Sequence, residues 1–344
     1  MYFIGVDHHK QVSVMTVLDE DGRELRNERV VNLRQHVLRF LDGYRPFTAV
    51  LEAGRASYVM ADLLRELGGE VKLANPLQVK AIAHARIKTD KRDSRTLAHL
   101  LRADLIPEVY QRGEWNRRAQ RVMRLRAYWV SRQTELRNKI RALLAQQREE
   151  IRLEVEKRDG VLFSQKGLEF LGGLRLPERD QLVLDDLLRG HREIRAHVKV
   201  TDGLVKALYG ELEEAPRIDT VPGFAKTLSV LVAVEIADIG RFSRPADLHS
   251  YAGVIPSTYA SGSRTVHGHI TKQGSVWLRW AVVEAVTPAI KKDLALRALY
   301  LRLARRKGAN VAKIAVARRL LTIIYRLLSE RRTYIPGLMK QSAA

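Results

Sequence analysis

Between Trp115 and Glu156 the chain runs without proline and with only scattered β-branched residues, rich in Arg, Leu, Ala and Gln. A stretch of that composition has one fold open to it, a long α-helix. Val122, Leu125, Trp129, Leu136, Ile140, Leu143 and Leu144 recur at mostly three- and four-residue spacing, which predicts an apolar stripe along the helix. Arg117, Arg118, Arg121, Arg124, Arg126, Arg132, Arg137 and Arg141 fill the other side with few compensating acids. Any one of them is an ordinary solvated residue of a coiled coil. As a group they predict contact with phosphates, Arg117, Arg118, Arg121 and Arg124 foremost. The pattern breaks from Gly160 to Gly173 and resumes from Gln181 to Leu212. Residues 113–210 therefore read as a helical coiled-coil connector, folded as a hairpin and pairing with another subunit. It separates a front domain, 1–112, from a back domain, 211–344.

The front domain has α/β order. Tyr2 to Val6 is a short apolar run ending at Asp7, and Gln11 to Leu18 is a second β-rich run. The turn residues Asp19 to Gly22 follow, then an alternating stretch to Val31, so a hairpin and a third strand are expected. Leu33 to Leu41 has helical spacing, Phe47 to Leu51 reads as a strand ending at Glu52, and a helix and a strand follow to Ala74. In KTDKRDSRTLAHLL, from Lys88, Asp90 and Asp93 stand three apart at the start of a predicted helix, on one face. An acid after a strand is usually a turn or cap residue, and acids in a first helical turn suit the macrodipole without any function. The set of four has a further meaning: Asp7, Glu52, Asp90 and Asp93 are hard oxygen donors suited to one or two Mg²⁺ ions. Two such ions roughly 4 Å apart activate a nucleophile and stabilise a leaving oxygen at a phosphodiester. Lys88 and Arg92, beside Asp90, are candidate phosphate contacts.

In the back domain, IDTVPGFAKTLSVLVAVEI from Ile218 has the form of a helix-hairpin-helix, with Pro222-Gly223 as its turn. Gly223 then exposes backbone N–H groups to a phosphate, although Pro-Gly is also plain turn chemistry. Pro256 to Gly274 is dominated by Gly, Ser and Thr and punctuated by Arg264 and Lys272, with Arg279 just beyond. It reads as a flexible loop whose cations meet nucleic acid and stabilise developing charge. Ser257, Ser261, Ser263 and Ser275 are all candidate nucleophiles on this reading. Ala312 to Leu328 predicts a closing amphipathic helix.

Lys and Arg total 60 against 39 Asp and Glu, a net charge of +21 over 344 residues. That excess points to a polyanion, because each neutralised phosphate releases condensed counterions. No run of roughly 18 apolar residues and no signal peptide is evident, which argues against a membrane partner. The absence of cysteine excludes disulfides and thiolate metal sites.

Asp7 in GVDHHK, Glu52 in LEAGRASY and the stretch NPLQVKAIAHARIKTDKRDSRTLAHLL from Asn75 resemble the DEDD insertion-sequence transposases. So do AGVIPSTYASGS and HGHITKQGSVWLRWAVVEA from Ala252 and His267, and the likeness spans Asp7 to about Leu328. His8-His9 and Arg55-Ala56 depart from the family's commoner residues beside the acids. The resemblance implies an RNase H-like (RuvC-like) domain in front and a mainly α-helical serine transposase domain behind. It maps Asp7, Glu52, Asp90 and Asp93 onto the metal-binding acids, with Mg²⁺ the expected ion and Mn²⁺ its substitute in vitro. It selects Ser261 as the nucleophile, linked transiently to DNA; His267 and His269, close by in sequence, are candidate proton carriers. It further implies a structured guide RNA and a dimer or tetramer whose composite site takes acids and serine from different subunits. The expected setting is the nucleoid of a bacterial or archaeal cytoplasm. Two readings compete: a junction-resolving nuclease using metal-activated water, and a non-catalytic nucleic-acid-binding protein.

Overall fold

The computed structural model describes residues 1–54, 56–83, 89–261 and 264–336, with the backbone alone over 258–261 and 264–267. The chain divides into two compact units, Met1–Arg112 and Gly113–Ala344.

The first unit runs β1 (Tyr2–His8), β2 (Val12–Leu18), β3 (Glu24–Val31), α1 (Arg34–Phe40), β4 (Phe47–Glu52), α2 (Ser57–Glu66), β5 (Glu70–Ala74), α3 (Pro76–Ile82) and α4 (Asp90–Arg102). The sheet order is β3-β2-β1-β4-β5. The first three strands pair antiparallel, whereas β4 lies parallel to both β1 and β5. A parallel neighbour needs a crossover, which α2 supplies between β4 and β5. Strand alternation divides the sheet into two faces. Ile4, Val6, Met15, Val17, Ala49 and Leu51 pack with Val37, Phe40, Met60 and Leu64 on one face. Val50 and Ala74 pack with Val79, Leu97, Leu100 and Leu101 of α3 and α4 on the other. This is the mixed α/β fold expected of an RNase H-like domain.

The second unit holds α5 (Glu114–Leu144), α6 (Glu149–Glu156), α7 (Gln165–Gly173), α8 (Glu178–Glu211), α9 (Glu214–Asp219), α10 (Lys226–Ile236), α11 (Pro245–Tyr251), β6 (Pro256–Ser261), β7 (Arg264–Ile270), α12 (Val276–Lys292), α13 (Leu294–Lys307) and α14 (Ala309–Ser329). The long helices α5 and α8 pack on each other, with Trp129 stacked on His197 at 4.3 Å. Their tip buries Ile140, Leu144, Leu184 and Leu188 with Leu162 and Leu171. At the other end Ala119, Met123, Val205 and Leu208 join the core built from α9, α10, α12 and α14.

Three sequence expectations change. The helix expected through Glu156 stops at Leu144, because Gln147 donates to Leu143 O and to Asp180 Oδ2 and turns the chain back onto the tip. The break expected at Gly160–Gly173 holds α7, started by the Ser164 hydroxyl accepting from Gly167 N. The loop expected after Pro256 holds the antiparallel pair β6 and β7. Its Thr, Tyr, Val and Ile residues favour a pleated ladder more than its Ser and Gly residues favour a loop.

Among the described residues, no helix is long and apolar enough to cross a membrane. Two buried imidazoles set the acid stability of the second unit. His191 accepts from Arg137 Nε at 3.2 Å, and burial followed by Arg137 and Arg195 pushes its pKa down to about 4. Burial followed by Arg318 does the same to His249, which contacts Thr322 Oγ1 at 3.1 Å. Both are neutral in the fold and protonate more readily once unfolded. Their contribution is therefore complete above about pH 6.5 and is lost as pH falls toward 4, by about 2–3 kcal/mol each. Melting followed by circular dichroism at pH 7 and 4.5 should show a fall of roughly 10 °C or more. The variant His191→Gln with His249→Gln should lose most of that pH dependence.

Candidate metal centre and serine strand

One missing side chain creates the first site. A Cβ on Gly5 would lie 2.0 Å from Ser94 O and 2.5 Å from Ala98 N, so only glycine lets α4 rest directly on β1. Ser94 Oγ meets Thr16 Oγ1 at 2.8 Å, and Asn27 donates both to Thr16 Oγ1 and to Lys91 O. Together these contacts fix the start of α4. Thr89 caps it, its hydroxyl accepting from Arg92 N, and Asp90 and Asp93 follow in the first turn, where their charge suits the helix dipole.

Asp7 lies inside β1, opposite Val14, and not beyond the strand as the sequence suggested. It is two residues on from Gly5 and so faces α4. Glu52 ends β4, on the face that Val50 turns to α4. The parallel register pairs Val6 with Leu51, which leaves Asp7 and Glu52 each one residue further along neighbouring strands. Among the described residues, Asp7, His9 and Asp90 form a group whose ligand atoms all lie within 4.8 Å of one another. His9 Nε2 is 3.3 Å from Asp7 Oδ2 and 3.5 Å from Asp90 Oδ2. Burial raises the pKa of Asp7, and Asp90 and Asp93 raise it further against the pull of His9. Carboxylates crowded in this way, with one imidazole beside them, form a donor set suited to a divalent cation.

Sequence reasoning missed His9, treating it only as a departure from a family pattern. Its signal was the two-residue step from Asp7, which continues the face of β1 that carries the acid. Its neighbour His8 is held differently. Its Nδ1 lies 2.9 Å from Ser13 Oγ, Ser13 donates to Asn32 Oδ1, and Asn32 donates back to His9 O. Burial, then His9, lowers the pKa of His8. This chain of hydrogen bonds fixes the backbone on which His9 stands.

The candidate phosphate contacts divide. Arg92 is exposed on α4, and Lys88 lies outside the described residues. Arg118 pairs with Glu114, and Arg121 Nε donates to Arg117 O at 3.4 Å. Arg124 turns inward to Glu235, itself 2% exposed, and its guanidinium lies 4.4 Å from the Trp277 ring centre. A residue held so firmly is structural, which corrects its expected phosphate role. Arg126 likewise pairs with Asp202, Arg132 with Glu135 and Arg141 with Asp159, so the expected shortage of compensating acids is not found. Gly223 has φ +96° and packs so closely that a Cβ would meet Ala285 O at 2.2 Å. Arg279 donates to Ala252 O at the end of α11. Lys272 is exposed, and the side chain of Arg264 lies outside the described residues.

Two of the four serines have structural partners. Ser257 Oγ donates to His269 O at 3.0 Å. Ser275 caps α12 and donates to Glu235 Oε2 at 2.7 Å. Ser261 is the last residue of β6, paired in register with Arg264, and not a loop residue. Its side chain, that of His267 and the whole of Ser263 lie outside the described residues.

Two family profiles match the chain. The DEDD IS110 transposase profile, described as "Transposase", matches residues 4–148, and "Transposase IS116/IS110/IS902 family" matches residues 215–301. Full-length relatives agree. The transposase for insertion sequence element IS1111A of Coxiella burnetii is 25% identical over 97% of this chain and 91% of its own length. A probable family 20 transposase of Pseudomonas aeruginosa is 27% identical, over 97% and 98% respectively. A putative transposase of Sinorhizobium fredii is also 27% identical, over 96% and 82%. The chain belongs to the DEDD-type insertion-sequence transposases. It is accordingly an enzyme of the DNA transposase class, and the DEDD match, with Asp7, His9 and Asp90 grouped where α4 meets β1, points to divalent-metal use.

In this transposase, removing one of the crowded charges should help the metal-free fold and harm the metal-bound one. Asp7→Asn is expected to stabilise the metal-free protein by about 1 kcal/mol. It should also abolish the rise in melting temperature that a divalent ion gives the native chain. Thermal melts with chelator, Mg²⁺ and Mn²⁺ check both signs.

Proposed function

We propose that this transposase excises and inserts its own mobile element by serine recombination, directed by a structured RNA. The observation that carries the proposal is the grouping of Asp7, His9 and Asp90 on the face where α4 meets β1, with Asp93 and Glu52 beside it. Mg²⁺ is the proposed ion, held by Asp7, Glu52, Asp90 and Asp93 with His9 adjacent. When bound, it supplies positive charge against a phosphodiester oxygen.

Ser261 is the proposed nucleophile. Its Oγ forms a bond to phosphorus as the bond to the leaving nucleotide oxygen breaks; the serine proton departs, and the leaving oxygen gains one. A DNA hydroxyl then attacks the phosphoserine, restoring the serine and joining the new strand. One phosphodiester replaces another, so no external energy is needed. His267 and His269 are the proposed proton carriers. Support for the serine is its place in the region matched by the second profile and the structural duties of Ser257 and Ser275.

Guidance by RNA would leave the protein little base reading, so DNA and RNA would be held by backbone and shape. The excess of 60 Lys and Arg over 39 acids favours that mode. Arg92, Arg117, Arg121 and Lys272 are proposed phosphate contacts. Synapsis of two duplexes calls for a dimer or tetramer, and the α5–α8 hairpin is the proposed pairing element. Bacterial relatives favour the nucleoid as its place of action.

Protein, Mg²⁺, DNA bearing the joined element ends, a target duplex and the flanking RNA, run together on a denaturing gel, test the proposal. A covalent protein–DNA band is expected, lost in Ser261→Ala and dependent on the RNA. Cleavage without an adduct would assign the attack to water and the enzyme to the junction nucleases. Binding without strand breakage on cognate DNA would make it a non-catalytic binder.

A further inference from the structure

We propose that a cleft between α5, α10 and α12 receives one unpaired nucleobase of a single-stranded nucleic acid. The inference rests on the nucleic-acid reading above. The cleft holds about 370 Å³, at the small end of the roughly 300–1,000 Å³ usual for organic ligands. Met123 and Leu231 form its buried floor, and Trp277 and Trp280 form a wall. Arg124 lies against Trp277 and fixes that ring. Trp280 stands edge-on to Trp277, with centroids 6.4 Å apart and planes at 82°, and is 45% exposed.

An exposed tryptophan beside an apolar slot is a stacking platform, and every base offers a flat face to such a ring. Thr227 and Val276, at the first turns of α10 and α12, both line it. Arg126 on the rim is held by Asp202, so the charge next to the slot is that of Lys226, which precedes Thr227, and the chain's net charge of +21 suits a polyanion. An amphipathic helix needs a groove several turns long, and a cleft of this size ends too soon for one.

The test measures affinity of the full-length protein for short single strands of DNA and of RNA, for the same strands with abasic sites, and for blunt duplex. Trp280→Ala should weaken single-strand binding about tenfold and leave duplex binding unchanged. Trp280→Phe should keep most of the affinity, abasic strands should not sense Trp280, and Ala127→Trp, which fills the slot, should reproduce the loss. Whichever strand type responds identifies DNA or RNA as the source of the base. Single-strand affinity indifferent to both Trp280→Ala and Ala127→Trp, in variants with native circular dichroism, overturns the proposal. A change in sedimentation without a change in affinity also overturns it and assigns the cleft to a second copy of the chain. Should the native protein bind neither duplex nor single strand, the broader nucleic-acid reading fails; duplex binding with Trp280-independent single strands sinks the pocket alone.

Discussion

The close approach of α4 to β1 at Gly5 is the contact on which the grouping of Asp7, His9 and Asp90 depends. Helices ordinarily pack on sheets about 10 Å away through interleaved side chains. At Gly5 the backbone of α4 takes the place of a Cβ, with Ser94 O 2.0 Å from where that atom would be. Asp90 at the start of α4 thereby comes beside Asp7 on β1, and His9 reaches both. Buried polar contacts keep the helix from sliding: Thr16 with Ser94, and Asn27 with Thr16 and Lys91. The acids repel one another, so the rest of the unit must hold them together. The hydrophobic faces of the sheet supply that restraint.

The second unit uses a buried charge in place of a close backbone contact. Glu235 of α10 accepts from Gln120 and Arg124 of α5 and from Ser275 at the cap of α12. Three helices that need a common orientation therefore share one carboxylate. Loss of a partner would strand a charge that is 2% exposed, so the arrangement enforces its own geometry. Arg124 also covers Trp277, so the same cluster shapes the aromatic cleft beside it.

Much of the first unit was legible in the sequence because its strands are short β-rich runs bounded by turn residues and its helices keep helical spacing. Asp7, Glu52, Asp90 and Asp93 could be named from strand ends and one helical step. His9 could not, because its proximity to Asp90 arises only once α4 has docked. The long helices were legible by period, but their ends were not: Gln147 stops α5 through a contact with Asp180, 33 residues away. The arginine-rich face misled for the same reason. Arg124, Arg126 and Arg141 meet acids that lie far along the chain, and local spacing cannot report such partners. The strands around Ser261 were hidden by small polar residues that suit a loop as well as a ladder.

The most direct measurement is the metal affinity of Gly5→Ala, by calorimetric titration with Mn²⁺ on protein whose circular dichroism matches the native chain. Lifting α4 from β1 should part Asp90 from Asp7 and weaken binding at least about tenfold, with an overpacking cost of roughly 1–3 kcal/mol in stability. Affinity equal to that of the native chain would contradict the account, because the acids would then assemble without the contact that is held to assemble them.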